Sequence, residues 1–270
     1  MTHRIRVQLG FTLAELAVVL VIVGILLAGA LIPLATQLEV KSIADTQRGI
    51  EQVKEAIFGF TQSNGRVPCP ATPTIATGVT NAGVEQMSGN NCATTYGVVP
   101  WVTLGITETD AWGRRYSYWV DNAFGDAIAS NTTQGSGQAT CSYASLSPAP
   151  TQSSFAICSE GGFTIRTRAT DHSFTATAQK IPLVIISHGK NGNGAYLPSG
   201  TKTTVSGALS DEASNATSTS TTFYSRTATP TASDCDDTTS GKSFCEFDDI
   251  VAWITSYSLV TRVISAGKLP

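Results

Sequence analysis

Three sets of side chains in this sequence are of types that could do chemistry. Glu15 stands near the start of an apolar run, FTLAELAVVLVIVGILLAGALIPLATQL, in which no residue from Leu16 to Leu38 is charged. An ionised carboxylate in lipid costs several kcal/mol unless a partner reaches it, so a lone acid here is a candidate site for engaging another molecule. Ser187-His188, after the apolar stretch Leu183 to Ile186, and Asp171-His172 upstream supply a hydroxyl, an imidazole and a carboxylate. Cys69, Cys92, Cys141, Cys158, Cys235 and Cys245 all lie beyond the apolar run.

The serine and histidine residues lack the frame that nucleophilic catalysis needs. A serine nucleophile requires a base held in line and an oxyanion hole, commonly at a G-x-S-x-G elbow, whereas adjacent strand residues such as Ser187 and His188 point to opposite faces. The glycines between 189 and 194 are followed by neither G-K-S/T nor a helical pattern, so no nucleotide site is expected. The chain reads as a non-enzyme. A secreted periplasmic hydrolase on an uncleaved signal anchor is the alternative from a different class.

An even number of cysteines suits disulfides in an oxidising compartment, and the lack of any C-x-x-C argues against structural zinc. Pairing neighbours (Cys69 with Cys92, Cys141 with Cys158, Cys235 with Cys245) closes three short loops, but six cysteines allow many connectivities and spacing does not choose among them. A pair that stays reduced and packs as small hydrophobes is the other reading. The formal net charge is −3 with 14% charged residues; without Arg4 and Arg6, 15 basic against 20 acidic residues leave −5. Nothing here suggests a polyanion-binding surface, and no nucleic-acid partner is expected.

The elements that must position these groups begin with the leader MTHRIRVQLG, basic and free of acid, which stays cytoplasmic and directs the chain beyond the apolar run to the outside. The uncharged run is long enough as a helix to span a hydrocarbon core of roughly 30 Å. Ala28-Gly29-Ala30 offers an ordinary signal-peptide cut instead, but a signal h-region is shorter and needs no glutamate. Ile43, Ile50, Val53, Ile57 and Phe60 keep helical spacing, so one helix of about 75 to 80 Å is expected from Phe11 to Gln62, bent or loosened at Pro33. Ser63-Asn64-Gly65 and the prolines at 68 and 70 end it. Next in the chain are a long loop from Pro70 to Val98 and strands at Arg115 to Val120, Ser154 to Cys158, Phe163 to Arg168 and Leu183 to Ser187. Residues 200–240, rich in Ser and Thr, read as an inserted exposed loop, with Asp234, Asp236 and Asp237 in a solvated turn. Ile254 to Ala266 reads as a short amphipathic helix or a closing strand.

Gly10-Phe11-Thr12-Leu13-Ala14-Glu15 resembles the processing motif of type IV prepilins and type II secretion pseudopilins: a small residue before the scissile bond, an aromatic one after it, and glutamate fifth in the mature chain. The resemblance implies cleavage between Gly10 and Phe11 by a prepilin peptidase and methylation of the Phe11 amine. That amine would neutralise Glu15 of a neighbouring subunit. The implied partners are other pilin or pseudopilin subunits and an inner-membrane assembly platform. The implied setting is the bacterial inner membrane, single-pass, with the C-terminal domain in the periplasm and a filament after assembly. Asp110 to Tyr118 (DAWGRRYSY) is similar to the D-P-W-G-x-x-Y-x-Y run of major pseudopilins, with Ala111 where proline is usual. Leu183 to Gly194, with Asp248, Asp249, Ile250 and Trp253, is similar to the final strand, loop and D-I-x-x-W closure of that family. There the loop binds calcium through oxygen donors. Lys190 and Asn191 stand here where an aspartate is usual, which leaves Asn193, Asp248 and Asp249 as the calcium candidates; no other cofactor is expected. Residues 200–240 depart from the compact family pattern.

The expected fold is α+β. A long N-terminal α-helix, transmembrane in its first half, packs on a small antiparallel β-sheet domain of pilin-like type with long disulfide-stapled loops. The expected organisation is a leader at 1–10, the helix at 11–62 and a periplasmic β-rich domain at 63–270 carrying the 200–240 insertion. The expected role is a structural filament subunit, a pseudopilin of a type II secretion system, with a minor pilin of a type IV pilus (adhesion, motility or DNA uptake) as the alternative.

Overall fold

Helix α1 spans Leu13–Asn64 in the computed structural model, which describes residues 12–127, 152–205, 207 and 209–269, with the backbone alone at 26–35. The helical run continues through position 33, so Pro33 does not interrupt it. The chain divides into two compact units, Met1–Ala44 and Asp45–Pro270. In the first, the apolar side chains from Leu13 to Ile25 are exposed, Leu13 at 92%. Among the described residues no helix is long and apolar enough to cross a membrane.

The second unit contains the core. Ile50, Val53 and Ile57, spaced three and four apart so that they share one helical face, are buried. The helix stops where the sequence says it should: Gly65 takes a positive φ of 70°, and its amide donates to Thr61 O at 2.8 Å. A hairpin of β1 (Met87–Ser88) and β2 (Asn91–Cys92) precedes β3 (Tyr96–Val98) and the short helix α2 (Trp101–Leu104). Strand β4 (Ser117–Val120) leads into helix α3 (Asn122–Gly125). Then come β5 (Phe163–Arg168), β6 (Phe174–Ile181), β7 (Leu183–Ser187), α4 (Asp211–Asn215), β8 (Thr222–Tyr224), β9 (Ile250–Ile254) and α5 (Ser256–Ser265).

Four strands form an antiparallel sheet in the order β3-β4-β7-β9, and three form a second sheet in the order β6-β5-β8. One face of the first sheet, with Tyr118, Val120, Leu183 and Ile185, joins the cluster of Ile50, Val53, Ile57, Leu259 and Val263. Its other face, with Trp119, Val184 and Ile186, packs on Phe163, Ile165 and Phe223 of the second sheet. Strand β7 is covered on both sides, which is why its sequence, LVIIS, is apolar rather than alternating. The fold is thus α+β, a long helix succeeded by antiparallel sheets, as the sequence implies; among the strands of the described residues, only β8 pairs in parallel, with β5.

Several local expectations change. Ser154 to Cys158 is not a strand, because its polar groups are taken by neighbours: the Ser154 amide donates to Gly65 O and its hydroxyl to Phe124 O. Strand β6 escapes the sequence reading because its residues FTATAQK are exposed apart from half-buried Ala178, and only Ile181 is buried. The C-terminal segment is a helix, capped by Thr255 Oγ1, which accepts from Ser258 N at 3.3 Å.

The largest correction concerns residues 200–240, which are not simply an exposed loop. Ser210, Asp211, Glu212, Asn215, Phe223 and Asp237 are buried. Arg168 Nε donates to Asp211 at 2.8 Å, Arg226 Nε to Asp211 at 2.9 Å, and Arg226 Nη2 to Asp237 at 3.1 Å. Arg168 stacks over Tyr224 and Arg226 over Phe247. The segment folds because its few charges find each other under cover. Asp237, expected in a solvated turn, is fully buried, whereas Asp234 is exposed and Asp236 half-buried.

Candidate functional site

At the helix start, Thr12 and Glu15 satisfy each other's backbone. Thr12 N and Oγ1 donate to Glu15 Oε2 at 2.8 and 2.9 Å, and Glu15 N donates to Thr12 Oγ1 at 3.3 Å. This reciprocal capping box occupies amides that no preceding turn can bond. The Glu15 carboxylate is exposed and is held by its own helix end. Gly10 and Phe11 lie outside the described residues.

The run from Asp110 to Tyr118 builds a turn that reaches toward the 189–194 loop. Asp110 Oδ1 accepts from Trp112 N and Arg114 N at 2.9 and 3.0 Å, and its Oδ2 accepts from Ser187 Oγ at 2.7 Å. Gly113 turns the chain at φ 76°. Arg114 then donates to the carbonyls of Gly189 and, at 2.8 Å, Lys190. Arg115, fully buried, pairs with Glu108 at 2.8 Å and donates to the Pro73, Ile75 and Pro198 carbonyls, pinning loops that lack their own secondary structure.

Beside this turn the three calcium candidates come together with Glu212, Asn191 and Asn215, which the sequence did not mark as ligands. Oxygens of Glu212, Asp248 and Asp249 lie within 4.8 Å of one another. Asn191 N donates to Asp248 Oδ2 at 2.8 Å, Asn193 Nδ2 to Glu212 Oε2 at 2.7 Å, and Asn191 Nδ2 to the same carboxylate at 3.0 Å. Asp248 N donates to Glu212 Oε1 at 2.7 Å, and Asn215 Nδ2 to Asp249 Oδ2 at 2.8 Å. Gly189, at φ 54°, approaches so closely that a Cβ there would fall 2.3 Å from Asp248 Oδ1. Burial, and then the charge of Asp249, pushes the Glu212 carboxyl up to about 8; burial likewise raises Asp248. Asp248 Oδ1 and Asp249 Oδ1 are buried without a hydrogen-bond partner. Orphaned carboxylate oxygens in a crowded acidic cluster fit a hard cation, which prefers all-oxygen ligands. Glu212 had one sequence signal: Ser210-Asp211-Glu212 is a helix N-cap with acids directly after it, and Ser210 Oγ does accept from Ala213 N.

The serine and histidine residues go elsewhere. His188 Nε2 lies 2.8 Å from Ser117 Oγ rather than from Ser187, and His188 Nδ1 is 3.3 Å from Asp249 Oδ1. This Ser117–His188–Asp249 row has the residue types of a triad, but Ser117 and His188 are completely buried. Asp171 accepts from Ser173, while His172 stacks on Phe244 with its ring nitrogens facing the Asp237 and Lys242 carbonyls. Cys69 bonds to Cys92 and Cys235 to Cys245. Cys158 is disulfide-bonded too, and Cys141 lies outside the described residues.

The profile of the prokaryotic N-terminal methylation motif matches residues 5–31, a stretch that includes Gly10, Phe11 and Glu15. That motif marks prepilins of the type IV pilin and pseudopilin class, whose N-terminal segment anchors them in the inner membrane before assembly. No curated protein and no solved structure matches the chain.

Proposed function

We propose that this chain, a type IV pilin-like protein by its N-terminal methylation motif, serves as a pseudopilin of a type II secretion system. In this reading a prepilin peptidase cuts between Gly10 and Phe11 and methylates Phe11. The segment after the cut crosses the inner membrane once, and the domain from residue 63 stands in the periplasm until an assembly platform adds the subunit to a filament. The exposed apolar stretch Leu13 to Ile25 carries the reading, since such a surface demands lipid or neighbouring helices around it. Glu15 would exchange Thr12 for the amine of the next subunit's Phe11, a charge-assisted contact available only on assembly.

The Asp110 turn, its hold on the 189–194 loop and the Asp248-Asp249 pair favour a pseudopilin over a minor pilin. Calcium held by Asp248 and Asp249, with Asn193 beside them, belongs to the same reading. Two measurements test it. Glu15→Leu should insert normally yet fail to enter filaments, and normal incorporation would refute the role of Glu15. Deleting the gene should block export of folded periplasmic proteins while leaving surface pili intact; loss of pili with export preserved would assign the chain to a type IV pilus instead.

A further inference from the structure

Calcium at Asp248, Asp249 and Asn193 would draw its ligands from the 189–194 loop and the entry to β9, and the structure brings a third element to the same place. Glu212, 1% exposed, comes from α4 within the inserted segment. Its carboxylate converges on Asp248 and Asp249, acids from a distant stretch of chain. Buried carboxylates repel, and each must be paired or bonded to be tolerated. Side-chain amides do part of this: Asn191 and Asn193 serve Glu212, and Asn215 serves Asp249. They leave Asp249 Oδ1, on a side chain with no solvent exposure, and Asp248 Oδ1 without a donor. His188 Nδ1, 3.3 Å from Asp249 Oδ1, is not aligned to bond it. Arg114 is committed to the loop carbonyls instead of these acids.

We propose that Glu212 is a ligand of the same divalent cation, so that the inserted segment completes the all-oxygen site. The residue supplies a negative charge that Lys190 does not, from a different part of the chain. A cation there ties α4 to the start of β9, and through Asn215, which bonds both Asp249 and the Tyr224 carbonyl, to β8 as well. Order in the insertion then depends on the ion.

The role of Glu212 rests on calcium binding at Asp248 and Asp249, and one experiment separates the two. The full chain in detergent is melted in calcium chloride and in EDTA, as wild type, Glu212→Gln and Asp248→Asn, with calcium affinity measured by titration calorimetry and trypsin cleavage at Lys202 monitored in parallel. Calcium should raise the wild-type midpoint and slow cleavage at Lys202. Glu212→Gln should lose both effects and bind calcium at least about tenfold more weakly, because affinity in such sites tracks the carboxylate count. Glu212→Asp, which withdraws the oxygens while keeping the charge, gives the same readout should the amide variant unfold. A calcium shift retained in both Glu212 variants but lost in Asp248→Asn overturns the role of Glu212 and leaves calcium binding by the aspartates standing. No shift in the wild type overturns both.

Discussion

Replacing Asp237 with alanine tests whether residues 200–240 are a folded part of the domain. Asp237 is fully buried. Its carboxylate accepts from Arg226 Nη2 at 3.1 and 3.2 Å, from Cys245 N at 2.9 Å and from Asp211 N at 2.8 Å. The truncation therefore removes a charge-assisted contact, worth about 1.5–3 kcal/mol, and strands two buried amides at about 1 kcal/mol or more each. Arg226 keeps Asp211 at 2.9 Å, and loss of the Asp211–Asp237 repulsion returns part of the cost. The expected net loss is about 3 kcal/mol, toward the lower end for a broken buried pair. Urea unfolding of the detergent-solubilised chain measures it, with proteolysis inside 200–245 as a local readout. Asp237→Asn, which retains one acceptor oxygen, should recover part of the loss, and Asp234→Ala on the exposed rim should change nothing. A loss below about 1 kcal/mol for Asp237→Ala would show that the ion cluster does not hold the segment.

Ile57→Ala, at a fully buried position on α1, should cost about 2–5 kcal/mol in the same urea assay, as a cavity opens against the first sheet. Gly97→Ala should cost about 1–3 kcal/mol, because its Cβ would lie 2.3 Å from the Ala71 carbonyl, whose partner strand cannot retreat without breaking the Ala71–Val98 pairing. Burial raises the Asp126 carboxyl, so its charged form is disfavoured in the fold; the stability it contributes is complete below the unfolded value near 3.9 and is lost as pH rises through the folded one. Asp126→Asn, still able to accept from Cys92 N, should therefore stabilise the domain at neutral pH and match the wild type in acid, as thermal melts across pH would record.

The parts of the molecule legible in the sequence are those whose physics is local. The helix stop at Gly65 comes from the chemistry of a few adjacent residues, and β5 and β7 begin and end where the sequence places them because period and composition change there. Two of the expected cysteine pairs form, closing short loops. The insertion is illegible for the opposite reason. Composition averages over a stretch, and a Ser/Thr-rich average conceals Asp211, Arg226 and Asp237, whose meaning depends on partners such as Arg168 far along the chain. Glu212 is hidden in the same way, since its distance from Asp248 in sequence says nothing of their convergence in space. A motif points to Asp248 and Asp249, yet Asp249 also meets His188, a contact no motif records.

The parallel pairing of β8 with β5 has a consequence for how the domain reaches its native state. Antiparallel β5 and β6 can zip through the short turn between them, whereas β8 must return across a long stretch of chain to dock Phe223 beside Ile165. Contacts closed through long loops carry their entropic cost before any reward and form late. Until β8 arrives, Phe163, Ile165 and Trp119 lack the ring of Phe223 that covers them. A newly synthesised chain thus passes through an interval in which its second sheet is sticky, and the chaperones and proteases it meets must tolerate that interval or shorten it.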